Sequence, residues 1–205
     1  MLRLIATILS RAGGALFFVA LLLGAAPARA QLHYAIDPRF GSITFSVAHL
    51  GLFSSSGHFD RFDADLQIDP AHLDRTQIAV DVAAASIDMS WQDGVAMLRS
   101  PEFFDVDHHP LIRFTSTDVT QVSADKYVVR GQLEMRGITQ PLSLTAKLVG
   151  RRADPEHGGD SADFVVSGKL SRAAWGMVAE RTFISDDVDI AIHARIRLAG
   201  PTHGG

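Results

Sequence analysis

Nine histidines and no cysteine bound the chemistry open to this chain. Without thiols there is no thiolate zinc cluster, iron–sulfur site, catalytic cysteine or lipidated N-terminal cysteine. His108-His109 is the one histidine cluster, and Asp105 and Asp107 beside it offer oxygen ligands. Adjacent residues point apart, so the pair chelates poorly; a solvated turn before Pro110 accounts for it, and no metal is expected. His49, at a strand end beside Leu50-Gly51, fits a structural hydrogen bond better than a catalytic base. Ser, His and Asp are plentiful, yet no Gly-x-Ser-x-Gly elbow, His-Glu-x-x-His helix or glycine-rich phosphate loop marks a site. Asp186-Asp187 reads as a capped turn before the last strand. Arg99, Arg136 and Arg172 lie beside apolar segments, where a guanidinium pairs with an interior acid or holds an anionic head group. No catalytic residue and no cofactor follow from these residues.

The elements that carry them follow a period of two. Val188, Ile190, Ile192, Ala194, Ile196 and Leu198 share one face of the last long segment, and Asp187, Asp189, His193, Arg195 and Arg197 share the other. That is a half-buried antiparallel strand. The alternation recurs at Ile43-Phe45-Val47, Ile78-Val80-Val82, Ile112-Phe114, Leu142-Leu144-Ala146-Leu148 and Phe164-Val166-Gly168-Leu170. Asp69-Pro70, Ser123-Ala124-Asp125 and Gly137-Ile138-Thr139 interrupt it as turns, and 150–160 is expected to be a flexible hairpin loop. Ser90 through Phe104 breaks the period; Val95, Met97 and Leu98 predict a short helix that ends before Pro101.

The N-terminus is different. Residues 1–30 contain Arg3, Arg11 and Arg29, no acid, and an apolar run from Ala12 to Ala26 that leads to Ala28-Arg29-Ala30. This is the anatomy of a secretory signal peptide cleaved after Ala30, since the apolar run falls short of the about 20 residues that span a bilayer. Removal leaves 175 residues and takes three of 19 basic residues, so a formal charge of −4 becomes −7. That balance disfavours a nucleic-acid partner, which needs a basic patch. Export without disulfides points to a bacterial periplasm. About eight strands in sequence predict one antiparallel domain, a sandwich that fills its own interior or a barrel with room for a ligand. Periodicity leaves both open. The last residues, 200–205, are expected to be a loose tail.

The strand sequences then supply a resemblance. Tyr34-Ala35-Ile36-Asp37-Pro38, Ile43 to Val47 with His49-x-Gly51, and Gly57-x-Phe59-x-x-Phe62 resemble the opening of the YceI-like family. Leu98-Arg99-Ser100-Pro101-Glu102-Phe103-Phe104-Asp105, Gly131-x-Leu133-x-x-x-Gly137-x-Thr139-x-Pro141, Leu170 to Met177 and Ile184 to Val188 continue it in order. The resemblance spans Tyr34 to Leu198. It implies an all-β, eight-stranded antiparallel, lipocalin-like barrel over 31–199, with one or two short helices and an elongated apolar cavity. Two departures stand out. Phe40-Gly41-Ser42 replaces a His-Ser pair common in the family, and Gly94-Val95-Ala96-Met97 replaces Arg-Asp-x-His. Both put the head-group preference in doubt.

The implied ligand is an isoprenoid lipid, a quinone or polyprenyl chain, held by a periplasmic carrier. Burying such a chain gains roughly 25 cal/mol per Å² before association costs. Pocket candidates are Phe45, Val47, Phe59, Phe62, Phe103, Phe104, Phe114, Leu133, Met135, Trp175 and Met177; head-group candidates are Arg99, Arg136 and Arg172. Transient contact with a membrane or membrane protein, and a homodimer, are compatible with this reading. Two alternatives remain: a hydrolase or isomerase acting on such a lipid, and a stress-related structural protein with a self-filled core.

Overall fold

Residues that alternate in the sequence alternate across the wall of a closed barrel. The computed structural model describes residues 32–155 and 159–199. The expected leader, 1–30, and tail, 200–205, lie outside the described residues. The strands are β1 (Leu32–Ile36), β2 (Ser42–His49), β3 (Phe53–Phe59), β4 (Phe62–Ile68), β5 (Gln77–Ala83) and β6 (Ile87–Met89), then β7 (Leu111–Ser123), β8 (Lys126–Met135), β9 (Ile138–Asp154), β10 (Gly159–Ser171) and β11 (Ile184–Leu198). One helix, α1 (Gln92–Arg99), falls within the segment where the period breaks.

Eleven segments make eight staves, because three staves are broken strands. β1 and β2 both run antiparallel to β11, with Ile36 opposite Ile196 and Ser42 opposite His193. β4 pairs with β1, and β3 with β2. β5 pairs with β4, and β6 with β3. The remaining neighbours are β5–β7–β8–β9–β10–β11, all antiparallel. The result is a closed up-and-down barrel in which the ladder ends at the short β6, paired with β3 on one side, and closure limits the hazard of unpaired strands.

The three breaks lie side by side and are tied together. Asp37 N donates to Arg195 O at 2.8 Å, which holds the first stave to β11 across its interruption. The buried Ser86 Oγ accepts from Arg61 N at 3.1 Å and donates to Ala83 O at 2.7 Å, while Ser86 O accepts from Asp60 N at 3.1 Å. Backbone groups released where a barrel wall bends thus find partners. Pro38, which has no N–H to lose, stands in the first break.

One expectation is corrected here. The stretch 150–160 is mostly ladder: Gly159 stands opposite Asp154 and Ala162 opposite Arg151. Charge does not end a strand whose outward face is wet. Asp163 pairs there with Arg195 at 2.5 Å and Arg152 at 3.4 Å.

The two ends of the barrel differ. At the hairpin end lie the β4–β5, β7–β8 and β9–β10 connections. At the lid end α1, the turns through Phe103 and Phe104, and a 3-10 turn at Arg172–Trp175 close over the strands. That turn stops at Gly176, whose φ of 75° is the left-handed conformation that favours glycine.

Candidate ligand-binding lumen

The inward face of every stave is apolar, and the faces enclose a cavity of about 850 Å³. Its wall runs from Pro70, Leu73 and Ala124 at the hairpin end to Phe103, Phe104 and Met177 under the lid. A 15-residue stave such as β11, at about 3.3 Å per residue and a tilt near 40°, makes the barrel roughly 35–40 Å tall. The space is long and narrow.

Of the eleven pocket candidates, Phe45, Val47, Phe59, Phe103, Phe104, Phe114, Leu133, Met135 and Met177 line this cavity. Phe59 links two of the others: its ring lies 5.8 Å from Phe45 and 5.7 Å, edge-on, from Phe104. Phe62 and Trp175 are placed elsewhere. Phe62 is spent at the strand breaks, where its ring lies over Gly41. Trp175 sits behind the wall, and its Nε1 donates to Leu133 O at 3.1 Å, pinning the lid turn to β8.

The three head-group arginines do a different job: each holds backbone of the lid. Arg172 is 3% exposed and faces the cavity. It donates to Ser185 O at 2.9 Å, Met177 O at 3.0 Å, Ala179 O at 2.7 Å and Ile184 O at 3.0 Å. Burial pulls this guanidinium below the ordinary arginine range, and Asp186, 3.8 Å away, opposes the shift. Arg136 Nη1 donates to Pro101 O at 2.9 Å and to Phe103 O. Arg99 Nη2 donates to Ile87 O at 3.1 Å. These donors are committed to carbonyls.

Apart from Arg172 and His49, the latter read from sequence as a structural hydrogen bonder, the polar lining residues were not singled out from sequence. His49 Nε2 and Ser55 Oγ lie 2.6 Å apart on the wall near the lid, with the His49 ring stacked on Phe53 at 4.9 Å. Tyr34, Thr76, Gln121, Tyr127, Arg151, Asp160 and Ser161 line the hairpin end. Burial raises the Tyr34 phenol above its ordinary value, so it stays a hydroxyl donor. Strand parity was the available signal: Thr76 continues the inward series Ile78-Val80-Val82, and Tyr127 continues Val129-Gly131-Leu133.

The histidine cluster stays outside. Asp105 binds His108 Nδ1 at 2.8 Å, which holds the carboxyl below and the imidazole above their ordinary ranges. His58, Asp60 and Asp88 come within 4.8 Å of one another, but they stand off the lumen wall, His58 and Asp60 in solvent.

Comparison with known proteins places these features in a lineage. A family model described as YceI-like domain matches residues 34–196. The UPF0312 protein plu2095 of Photorhabdus laumondii is 34% identical over 175 residues, covering 84% of this chain and 90% of its own. A UPF0312 protein of Azotobacter vinelandii is 31% identical over 173 residues, covering 83% and 89%. Among solved structures, Burkholderia cenocepacia BcnA matches with a TM-score of 0.69 at 19% identity, covering 79% of this chain and 99% of its own. A polyisoprenoid binding domain from Saccharophagus degradans, implicated in plant cell wall breakdown, matches at 0.60 and 12% identity, covering 82% and 100%. At these identities the solved structures share the fold.

Proposed function

The chain belongs to the YceI-like family, and from that premise we propose that it binds and carries an isoprenoid lipid in the periplasm. The observation that carries the reading is the continuous apolar lumen of about 850 Å³. An apolar tube of that length matches a long hydrocarbon chain that water rejects. The solved neighbour described as a polyisoprenoid binding domain supports the same class of ligand. Carriage needs shape and burial and no reacting group.

Residues 1–30 are the export signal in this reading, and the mature protein begins at Gln31. Leu52, 82% exposed, and Phe53, Trp91 and Phe183 stand in solvent around the lid end, which supports brief contact there with a membrane. Organic extraction and native mass spectrometry of protein purified from periplasm test the reading. The expected result is a co-purifying isoprenoid and an N-terminus at Gln31. Protein that yields no apolar ligand and rebinds none would overturn it.

A second reading, a lipid hydrolase, is favoured by the His49–Ser55 pair on the lumen wall. The hydrogen-bond partner of His49 is Ser55, and a Ser-His-Asp triad needs a carboxylate on the other ring nitrogen as well. Turnover of a prenyl ester that Ser55→Ala abolishes would establish this activity; equal turnover by both proteins removes it.

A further inference from the structure

The β2–β3 hairpin ends in an apolar tip that the barrel itself does not use. Leu50 and Gly51 have φ of 49° and 68°, and Leu52 N donates to His49 O at 2.9 Å, which closes a tight turn. Asparagine or glycine is the ordinary residue at such a left-handed position. Leucine is sterically disfavoured there, and Leu50 is exposed, so neither the turn nor the core gains from it. Leu52 and Phe53 follow, and Leu50 N donates to Phe183 O at 3.1 Å, which brings the loop before β11 alongside. The side chains of Leu50, Leu52, Phe53 and Phe183 are each more than half exposed. Charge is missing from the same hairpin. Residues 40–59 contain no Asp, Glu, Lys or Arg, although 20% of the chain is charged. The outward pairs Ser46–Ser56 and Ala48–Ser54 are small and neutral, whereas the adjoining outward face of β11 carries Asp187 and Asp189.

The tip is continuous with the lumen. His49, which pairs with Phe53, and Ser55 line the cavity directly behind it, and Trp91 lines the cavity while 53% exposed. We propose, on the lipid-carrier reading above, that Leu50, Leu52, Phe53 and Phe183 insert into the interface of an uncharged, zwitterionic bilayer, and that the isoprenoid enters and leaves the lumen at this tip, past Trp91. Four such side chains present roughly 400–500 Å² of apolar surface, against about 800 Å² a side in a stable protein complex. A second copy of the chain is therefore poorly held, whereas an interface takes up apolar side chains in proportion to the area they bury. A tryptophan, apolar in its ring and polar at its N–H, suits that depth. Charge selects the kind of bilayer. Arg181, in the same loop as Phe183, is paired with Asp186, Glu180 adds a negative charge beside it, and the chain as a whole is acidic. An anionic surface gains nothing from that arrangement and is repelled by the rest of the molecule.

The test uses the purified mature protein, phosphatidylcholine vesicles and a fluorescent geranylgeranyl lipid. The two tryptophans report separately, since Trp175 is buried behind the wall and Trp91 is exposed. With vesicles present, Trp91 emission should move to the blue and be quenched by phosphatidylcholine brominated on its chains. Transfer of the fluorescent lipid from vesicle to protein should speed up with vesicle concentration, be indifferent to salt and slow when phosphatidylglycerol is added. Leu52→Asp with Phe183→Asp, both off the lumen wall, should slow transfer roughly tenfold or more, the order expected for carboxylates forced into an interface. The affinity of the same variant for the lipid supplied in solution should be unchanged. Equal transfer rates in variant and parent overturn the proposal, as does transfer that quickens with phosphatidylglycerol and slows with salt. A dimer of the parent that the two substitutions dissolve makes the tip a contact between copies and overturns it too. Absence of quenching in the unmodified protein overturns it without any variant. In each of these cases the carrier reading stands as long as the lipid binds from solution; if it does not bind at all, the carrier reading falls and the membrane route with it.

Discussion

Phe45 stands directly across the β2–β3 ladder from Gly57, and its ring occupies the space a side chain at 57 would need. A Cβ there would lie 2.4 Å from Phe45 Cζ and 2.9 Å from Asp88 O. Glycine lets an aromatic ring lie flat on the wall, which keeps the lumen open at that height. Gly57→Ala must displace either the ring or the backbone of β6. It should cost about 1–3 kcal/mol, the range for overpacking, seen as a lower urea midpoint at unchanged slope. Gly168→Ala is the control: its nearest obstacle, at 2.4 Å, is Leu144 Cδ2, the far end of a flexible side chain. Equal losses in the two variants would contradict this account of Phe45.

Arg172 predicts a larger effect. Its guanidinium satisfies four carbonyls from the loop after the 3-10 turn and the start of β11, and its charge centre lies 6.0 Å from the Phe103 ring. Arg172→Met removes a buried charge but orphans those acceptors together. The expected loss is at least about 3 kcal/mol, because each unpaired buried group carries its own desolvation penalty. Hydrogen exchange should localise the loosening to the lid. A variant as stable as the parent would return Arg172 to the role of a head-group ligand.

Much of this architecture was legible in the sequence. Period two marked the inward faces of β5, β7, β9 and β11, and burial on one face makes that signal strong. The short helix at Gln92–Arg99 was visible as a break in period. The hairpin at 150–160 was legible as a turn, but the run of β9 to Asp154 and of β10 from Gly159 into it was not, since a strand wet on its outward face carries charges as readily as a loop does. The breaks that split three staves left no hydrophobic signature either; they are written in Asp37, Asp60 and Ser86, whose backbone roles depend on neighbours far away in sequence. Aromatic content marked most of the lumen, but Trp175 and Phe62 show that a large ring serves packing behind the wall as well as the wall itself. The arginines beside apolar segments were visible as unusual; that their partners are carbonyls is a property of the closed lid alone.

Acid should weaken the first break. Arg39 binds the Asp37 carboxylate at 3.0 and 2.7 Å and, against the cost of burial, holds its pKa near 2, below the ordinary 3.8. A carboxyl with a depressed folded pKa contributes stability that is complete above about pH 4 and is lost as pH falls through about 2. Asp105, held down by His108, adds a change of the same sign. The urea midpoint should therefore fall between about pH 4 and about pH 2, and less steeply in Asp37→Asn, whose amide does not titrate. Identical acid profiles for the two proteins would remove Asp37 from this account.

The lumen itself is open to a direct trial at Ala146. This small residue is buried on β9, opposite Tyr127 on one side and Val166 on the other, and it faces the cavity. Ala146→Trp adds an indole across the tube part-way along its length. In a self-filled core that addition forces neighbours off their rotamers and costs about 1–3 kcal/mol or more. In an open tube the ring enters space that a ligand otherwise occupies, so the thermal midpoint should hold within a few degrees. Dye binding and recovery of co-purified lipid should be lost together. Loss of fold in Ala146→Trp, together with no dye binding by the unmodified protein, would mean that the interior is packed, and the structural-protein alternative would replace the carrier.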